Sequence, residues 1–217
     1  MFRHIRCALP RCRLGSIGLA AWLGMFVGAL PGLAVEIVRV EEDWQLQVAT
    51  PDPQSDAPQI TCLFSPTGDI SSIHAAFELN QRSVPWFSPG GLQLQLWNGE
   101  WPQGHAQAAA TAVMQQPDET VEWTQSMEIA GGVLKFAVTG GHSTTWGDFG
   151  GDGLLKIEVP TTLTNLNQYD PQVSVDNSAV GYASNRVSSL VLKRVRVVTS
   201  DGDVVEDATP RPVQGQP

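Results

Sequence analysis

The sequence predicts an all-β fold, an antiparallel β-sandwich of jelly-roll-like type. Three observations lead there. Apolar residues recur at every second position in run after run, short turn signals separate the runs, and helical periodicity is nearly absent. The 217 residues are 42% apolar and 16% charged. That composition fits a globular chain and argues against a disordered chain, a collagen-like repeat and a multi-span membrane protein.

Residues 1–34 read as a secretory signal peptide. The basic start MFRHIRCALPRCR leads into the apolar LGSIGLAAWLGMFVGAL, and Pro31-Gly32 breaks it. Gly32 and Ala34 supply small residues for a cut before Val35, and no acid occurs until Glu36. The other reading is an uncleaved anchor, since the apolar stretch is near the lower limit for spanning a bilayer. Cleavage near Ala34 gives a secreted or periplasmic protein with no stable membrane insertion. Cys7 and Cys12 would leave with the signal, so Cys62 would be the mature chain's one cysteine, expected in the core among strand residues.

Residues 35–206 then form one domain. WQLQVA sets Trp44, Leu46 and Val48 against Gln45 and Gln47. QITCLF has strand composition. IHAAFELN sets Ile73, Ala75, Phe77 and Leu79 against His74, Glu78 and Asn80. LQLQLW sets Leu92, Leu94 and Leu96 against Gln93, Gln95 and Trp97. TVEWTQSMEI sets Val121, Trp123, Met127 and Ile129 against Glu122, Thr124, Ser126 and Glu128, and VLKFAV and LLKIEV alternate likewise. Each run implies a half-buried strand with one wet face. PDPQSDAP, SPTGD, SPGG, AGG and GGHSTTWGDFGGDG are the turns, and Asp201-Gly202 marks a hairpin in VRVVTSDGDVVED. HAQAAATAVM is open between a short helix and a strand, and TLTNLNQY suits one helical turn. Residues 207–217, DATPRPVQGQP, lack an apolar pattern and suggest a flexible C-terminal tail.

Charge narrows the partners. All 22 acids follow residue 34 and four of the 13 bases precede it, which leaves the body at −13. Such a body is a poor nucleic-acid binder, because phosphate neutralisation needs clustered Lys and Arg. Lys193, Arg194 and Arg196 in LVLKRVRVV suit a charged strand face that guards a sheet edge, or a small basic patch for an anionic polymer.

Three stretches carry a resemblance: FELNQRSVPWFSPGGLQLQLWNGEW, GGHSTTWGDFGGDGLLKIEV and SVDNSAVGYASNRVSSLVLKRVRVVTSDGDVVEDATPR. Together they resemble a group of uncharacterised secreted proteins of planctomycete-type bacteria, over about Val35 to Arg211. That resemblance implies export, and no catalytic residue carries over from it. The strand pattern is similar in outline to concanavalin-like lectins and glucanases, although the acidic E-x-D-x-E motif of one glucanase family is missing.

The candidate sites follow from chemistry. Hydrolysis of a glycoside needs two carboxylates about 5–9 Å apart; Glu78, Glu122 and Glu128 on polar strand faces are the catalytic candidates, against the plainer reading of solubilising surface acids. Asp148, Asp152 and Glu158 in a Gly-rich segment are metal candidates, although the segment fails the helix-loop-helix calcium pattern and reads equally as a tight turn. No cofactor motif is present, and His74, His105 and His142 lack short zinc spacing. For an extracellular glycan, stacking aromatics and amides are needed. Trp86, Trp97, Trp101 and Trp146, with Gln93 and Gln95, are the ligand-binding candidates, and loop plugs over the core are their ordinary alternative. The expected function is a secreted, non-catalytic binding module for a glycan or surface polymer. The alternatives are a glycoside-active enzyme and a structural envelope protein with a protein partner.

Overall fold

The computed structural model describes residues 35–49, 58–80, 91–108, 118–144, 147–151, 155–182 and 184–213. Residues 35–217 form one compact unit. Its strands are β1 (Ile37–Val48), β2 (Gln59–Phe64), β3 (Ile73–Leu79), β4 (Leu92–Asn98), β5 (Trp101–Ala108), β6 (Thr120–Ala130), β7 (Val133–Ser143), β8 (Gly147–Phe149), β9 (Lys156–Pro160), β10 (Ala179–Tyr182), β11 (Val187–Thr199), β12 (Val204–Asp207) and β13 (Arg211–Pro212), with one short helix, α1 (Pro171–Asn177). They form two antiparallel sheets. The larger runs β12-β11-β1-β6-β7-β8, with β13 also on β11 and β9 also on β7; the smaller runs β10-β2-β3-β4-β5. The expected all-β sandwich is therefore the fold.

The core is the set of inward positions of both sheets, and the alternating runs supply it. Trp44 and Trp123 are register partners on β1 and β6 and stack at 6.2 Å and 5° between ring planes. Phe77 of the small sheet meets Trp123 edge-on at 5.7 Å, and Phe64 meets Phe136 at 5.1 Å. Aromatic pairs of this geometry add about 0.5–1.5 kcal/mol each beyond area burial. Gly131 and Gly132 join β6 to β7 with φ of 57° and 78°, left-handed values that glycine adopts most readily in a two-residue turn. Cys62 is buried in this core, as expected.

Three expectations need correction. The end of the chain does not leave the sheet at 207: Asp207 pairs with Val195, Pro212 pairs with Val191, and Val213 is 4% exposed with its N–H on Leu190 O. Thr209 and then Arg211 hydrogen-bond the Asp207 carboxylate and hold its pKa at about 2. TLTNLNQY makes its one turn, with Tyr169 N–H on Leu166 O, but a helix that was not expected follows at 171–177: Asp170 caps it by accepting from Gln172 N–H at 2.8 Å, and Pro171 starts it. The outer face of the small sheet is not wet either. His74, Glu78 and Gln93 lie on that face and are 4%, 7% and 1% exposed.

An acid sits inside. Glu42 shares the inward face of β1 with Val40, Trp44 and Leu46 and is 1% exposed. Its Oε2 accepts from Trp44 Nε1 at 2.9 Å and from Gln125 Nε2 at 2.6 Å; its Oε1 accepts from Tyr169 Oη at 2.7 Å and Ser174 Oγ at 2.6 Å. Burial pushes its pKa up, and the four donors only partly offset that. Each carboxyl oxygen meets two donors, which favour the charged form and oppose the effect of burial. Through Ser174 and Tyr169 this side chain ties α1 and the strap before it to β1.

Candidate functional site

Polar residues cover the outer face of the large sheet, and two bulges shape it. On β11 the register with β1 shifts between Asp43 and Trp44: Asp43 faces Arg194, Trp44 faces Leu192, and Lys193 is the extra residue. On β7 the register with β6 shifts between Thr124 and Gln125, so that Thr124 faces Gly140, Gln125 faces Val138, and Thr139 is extra. An extra residue bends its strand and raises the local twist. Both bulges flank the Asp43–Thr124 row.

Between them lies a hollow of about 390 Å³ lined by Asp43, Glu122, Thr124, Gly140, His142 and Lys193, with Trp44 and Trp123 beneath. Gly140 leaves the floor bare, since a Cβ there would meet nothing within 4 Å. Its neighbour Gly141 faces inward and has a different reason to be glycine: a Cβ would come within 2.3 Å of the Phe149 ring, which stacks on Phe77 at 6.3 Å. The wall is held by hydrogen bonds along register rows. Gln45, Glu122, His142 and Asp148 form one row across four strands. Gln45 Nε2 donates to Glu122 Oε1 at 2.6 Å, and His142 Nδ1 meets Asp148 Oδ1 at 2.8 Å, which aims the other ring nitrogen away from that carboxylate. In the next row Thr124 Oγ1 donates to Asp43 Oδ1 at 2.7 Å, and Arg194 Nε donates to Asp43 Oδ2 at 2.7 Å. Asp43, and then Glu206, raise the Arg194 pKa further above its usual value.

The catalytic candidates are not brought together. Glu122 and Glu128 share one strand face six positions apart, about 20 Å at 3.3 Å per residue. Glu78 lies on the outside of the other sheet, so both sheets separate it from Glu122. Neither separation fits a hydrolytic pair. Glu78 is instead tied into its own face, where Gln95 Nε2 lies 2.8 Å from its Oε2 and 2.7 Å from Gln93 Oε1.

The metal candidates also separate. Asp148 lies opposite His142 and Glu158 opposite Lys135, at two ends of β7. Lys156 lies 2.9 Å from Glu158 and lowers its pKa through a hydrogen bond and its charge. Among the described residues no group of three His, Cys, Asp or Glu could hold a metal ion, and Asp152 lies outside them.

Of the aromatic candidates, Trp86 and Trp146 lie outside the described residues. Trp97 is half-buried, paired with His74 and with Pro102 across a bulge. Beside it, Gln95 donates to both Gln93 and Glu78, so these side chains are tied to one another within the sheet face. Trp101 at the β4–β5 hairpin stands 74% exposed. Arg194 and Arg196 are spent on carboxylates, Arg196 on Glu41 at 2.6 Å, and this leaves Lys193 at the hollow.

Sequence reasoning missed Asp43 and His142 as neighbours of Glu122, because only strand register brings them together. No protein-family model matches the chain, and no curated protein matches its sequence. Among the described residues no helix is long and apolar enough to cross a membrane.

Proposed function

We propose that the protein is an exported, non-catalytic binding module for a polyhydroxylated ligand such as an extracellular glycan, and that the two-bulge hollow is its site. One observation carries this reading: an open hollow of about 390 Å³ on the outer face of the large sheet, lined by Asp43, Glu122, Thr124, His142 and Lys193 over a bare glycine floor. Small-molecule sites commonly occupy about 300–1,000 Å³. Glu122 and Asp43 supply acceptors for sugar hydroxyls, while Thr124, His142 and Lys193 supply further polar partners. The basic and apolar sequence of residues 1–34 supports export. The envelope-protein reading draws less support, since the exposed large apolar side chains among the described residues are Val35, Trp101, Val204 and Val205, on separate elements except for the last two.

A glycan array probed with the purified protein tests the reading, with Gly140→Ile as the control. The Ile side chain enters open space and suits a strand, so the fold is expected to persist while binding is lost. Binding that survives Gly140→Ile unchanged, or no binding to any glycan, would overturn the assignment.

A further inference from the structure

We infer that the hollow takes a saccharide unit bearing one anionic substituent, a carboxylate or a sulfate, seated at Lys193. This rests on the binding-module reading above. The bulge on β11 turns two consecutive bases, Lys193 and Arg194, to the outer face, whereas Leu192 and Val195 on either side point into the core. Arg194 is taken by Asp43 and Glu206. Lys193 is exposed, lines the hollow, and has no carboxylate partner among the described residues. In a stretch holding 22 acids and nine bases, an unpaired cation beside a hollow is a costly use of a scarce charge. Elsewhere Arg39 and Arg196 pair with Glu41, Lys156 with Glu158 and Arg211 with Asp207.

The opposite wall sets the number of anions. Glu122 carries negative charge there, with His142 next to it on β7 and Asp148 beyond on β8. A ligand with anions along its length would meet like charge at that wall. A ligand with one anion avoids it, and can offer neutral hydroxyls to Glu122 and the outward nitrogen of His142. The two walls stand on β11 and β6 with β1 between them, about 10 Å apart at the usual strand spacing. That width holds a sugar ring between its anion and its hydroxyl partners.

The test compares matched pairs of oligosaccharides by calorimetry: uronate oligomers against their methyl esters, and sulfated oligomers against their desulfated counterparts. The charged member of at least one pair is expected to bind about two- to five-fold more tightly, the scale of one screened ion pair. That advantage should shrink as ionic strength rises past about 0.15 M. Lys193→Gln should abolish it with unchanged melting, and Lys193→Arg should retain it. Equal binding of both members of every pair, or a preference that survives Lys193→Gln, overturns the inference. If neutral members bind and Gly140→Ile abolishes that binding, the site stands and only the anion assignment falls. If no member binds, both fall.

Discussion

The two outer faces of the sandwich look alike in sequence and differ in structure. Glu78 and Glu122 both occupy the polar phase of an alternating strand. Glu122 is exposed, whereas Glu78 is 7% exposed and hydrogen-bonded to Gln95. Alternation reports which residues share a face. It does not report whether that face meets water, because burial depends on tertiary neighbours that the spacing along one strand does not record. The large sheet's outer face is instead tiled with ion pairs that water can screen, such as Arg194 with Asp43.

The largest test lies in the layer that backs both faces. Trp123→Ala should cost about 3–5 kcal/mol, since it removes a ring that touches Trp44 and Phe77; urea denaturation reads it, and a change under about 1 kcal/mol would mean the inward register is misassigned. The comparison itself is tested by Glu78→Ala against Glu122→Ala. The first should cost about 1–3 kcal/mol by leaving one Gln95 N–H without its acceptor, the other staying on Gln93. The second should stay within about 0.5 kcal/mol, as for exposed positions. Equal costs would erase the distinction between the faces.

Glu42 belongs to neither face and is expected to show as a slope. Its folded pKa is raised above the ordinary 4.5, so the folded protein binds a proton more tightly than the unfolded chain does. The stability this gives is complete below about pH 4.5 and is lost as pH rises through the folded value. Glu42→Gln keeps an acceptor for Trp44 and Gln125 and an amide for the two hydroxyls. Its stability relative to the parent should therefore rise as pH climbs above 4.5. A parallel pair of curves would show that Glu42 is ionised throughout. The smallest effect is Arg194→Ala, about 0.2–1 kcal/mol and fading with added salt, because the pairs it breaks are partly solvent-exposed.

Much of the fold was legible because most inward positions are plainly apolar. Trp44, Leu46, Val121 and Trp123 announce their strands. Glu42 and Gln125 were not legible as core, since a polar residue at an inward position reads as a break in the pattern until its partners are seen. Those partners lie far along the chain, at 169 and 174 for Glu42. The helix was written in Asp170-Pro171, a cap and a start that a search for long periodicity passes over. The tail's attachment rests on backbone bonds and on Val213 alone, in a stretch otherwise polar and Pro-rich. The hollow needed two register shifts, and a bulge leaves little trace in composition.

Cys62 turns the interior into something that can be timed. It is 0% exposed, and burial, opposed only in part by Ser178, pushes its thiol pKa far up. It is also the one thiol after residue 34. A thiol reagent can reach it only when the small sheet opens, so the rate of labelling is a clock for that opening. Run beside denaturation of the whole protein, the clock separates two kinds of molecule. In one, the sheets part only when everything unfolds. In the other, β2 lifts away from the rest many times before the sandwich is lost.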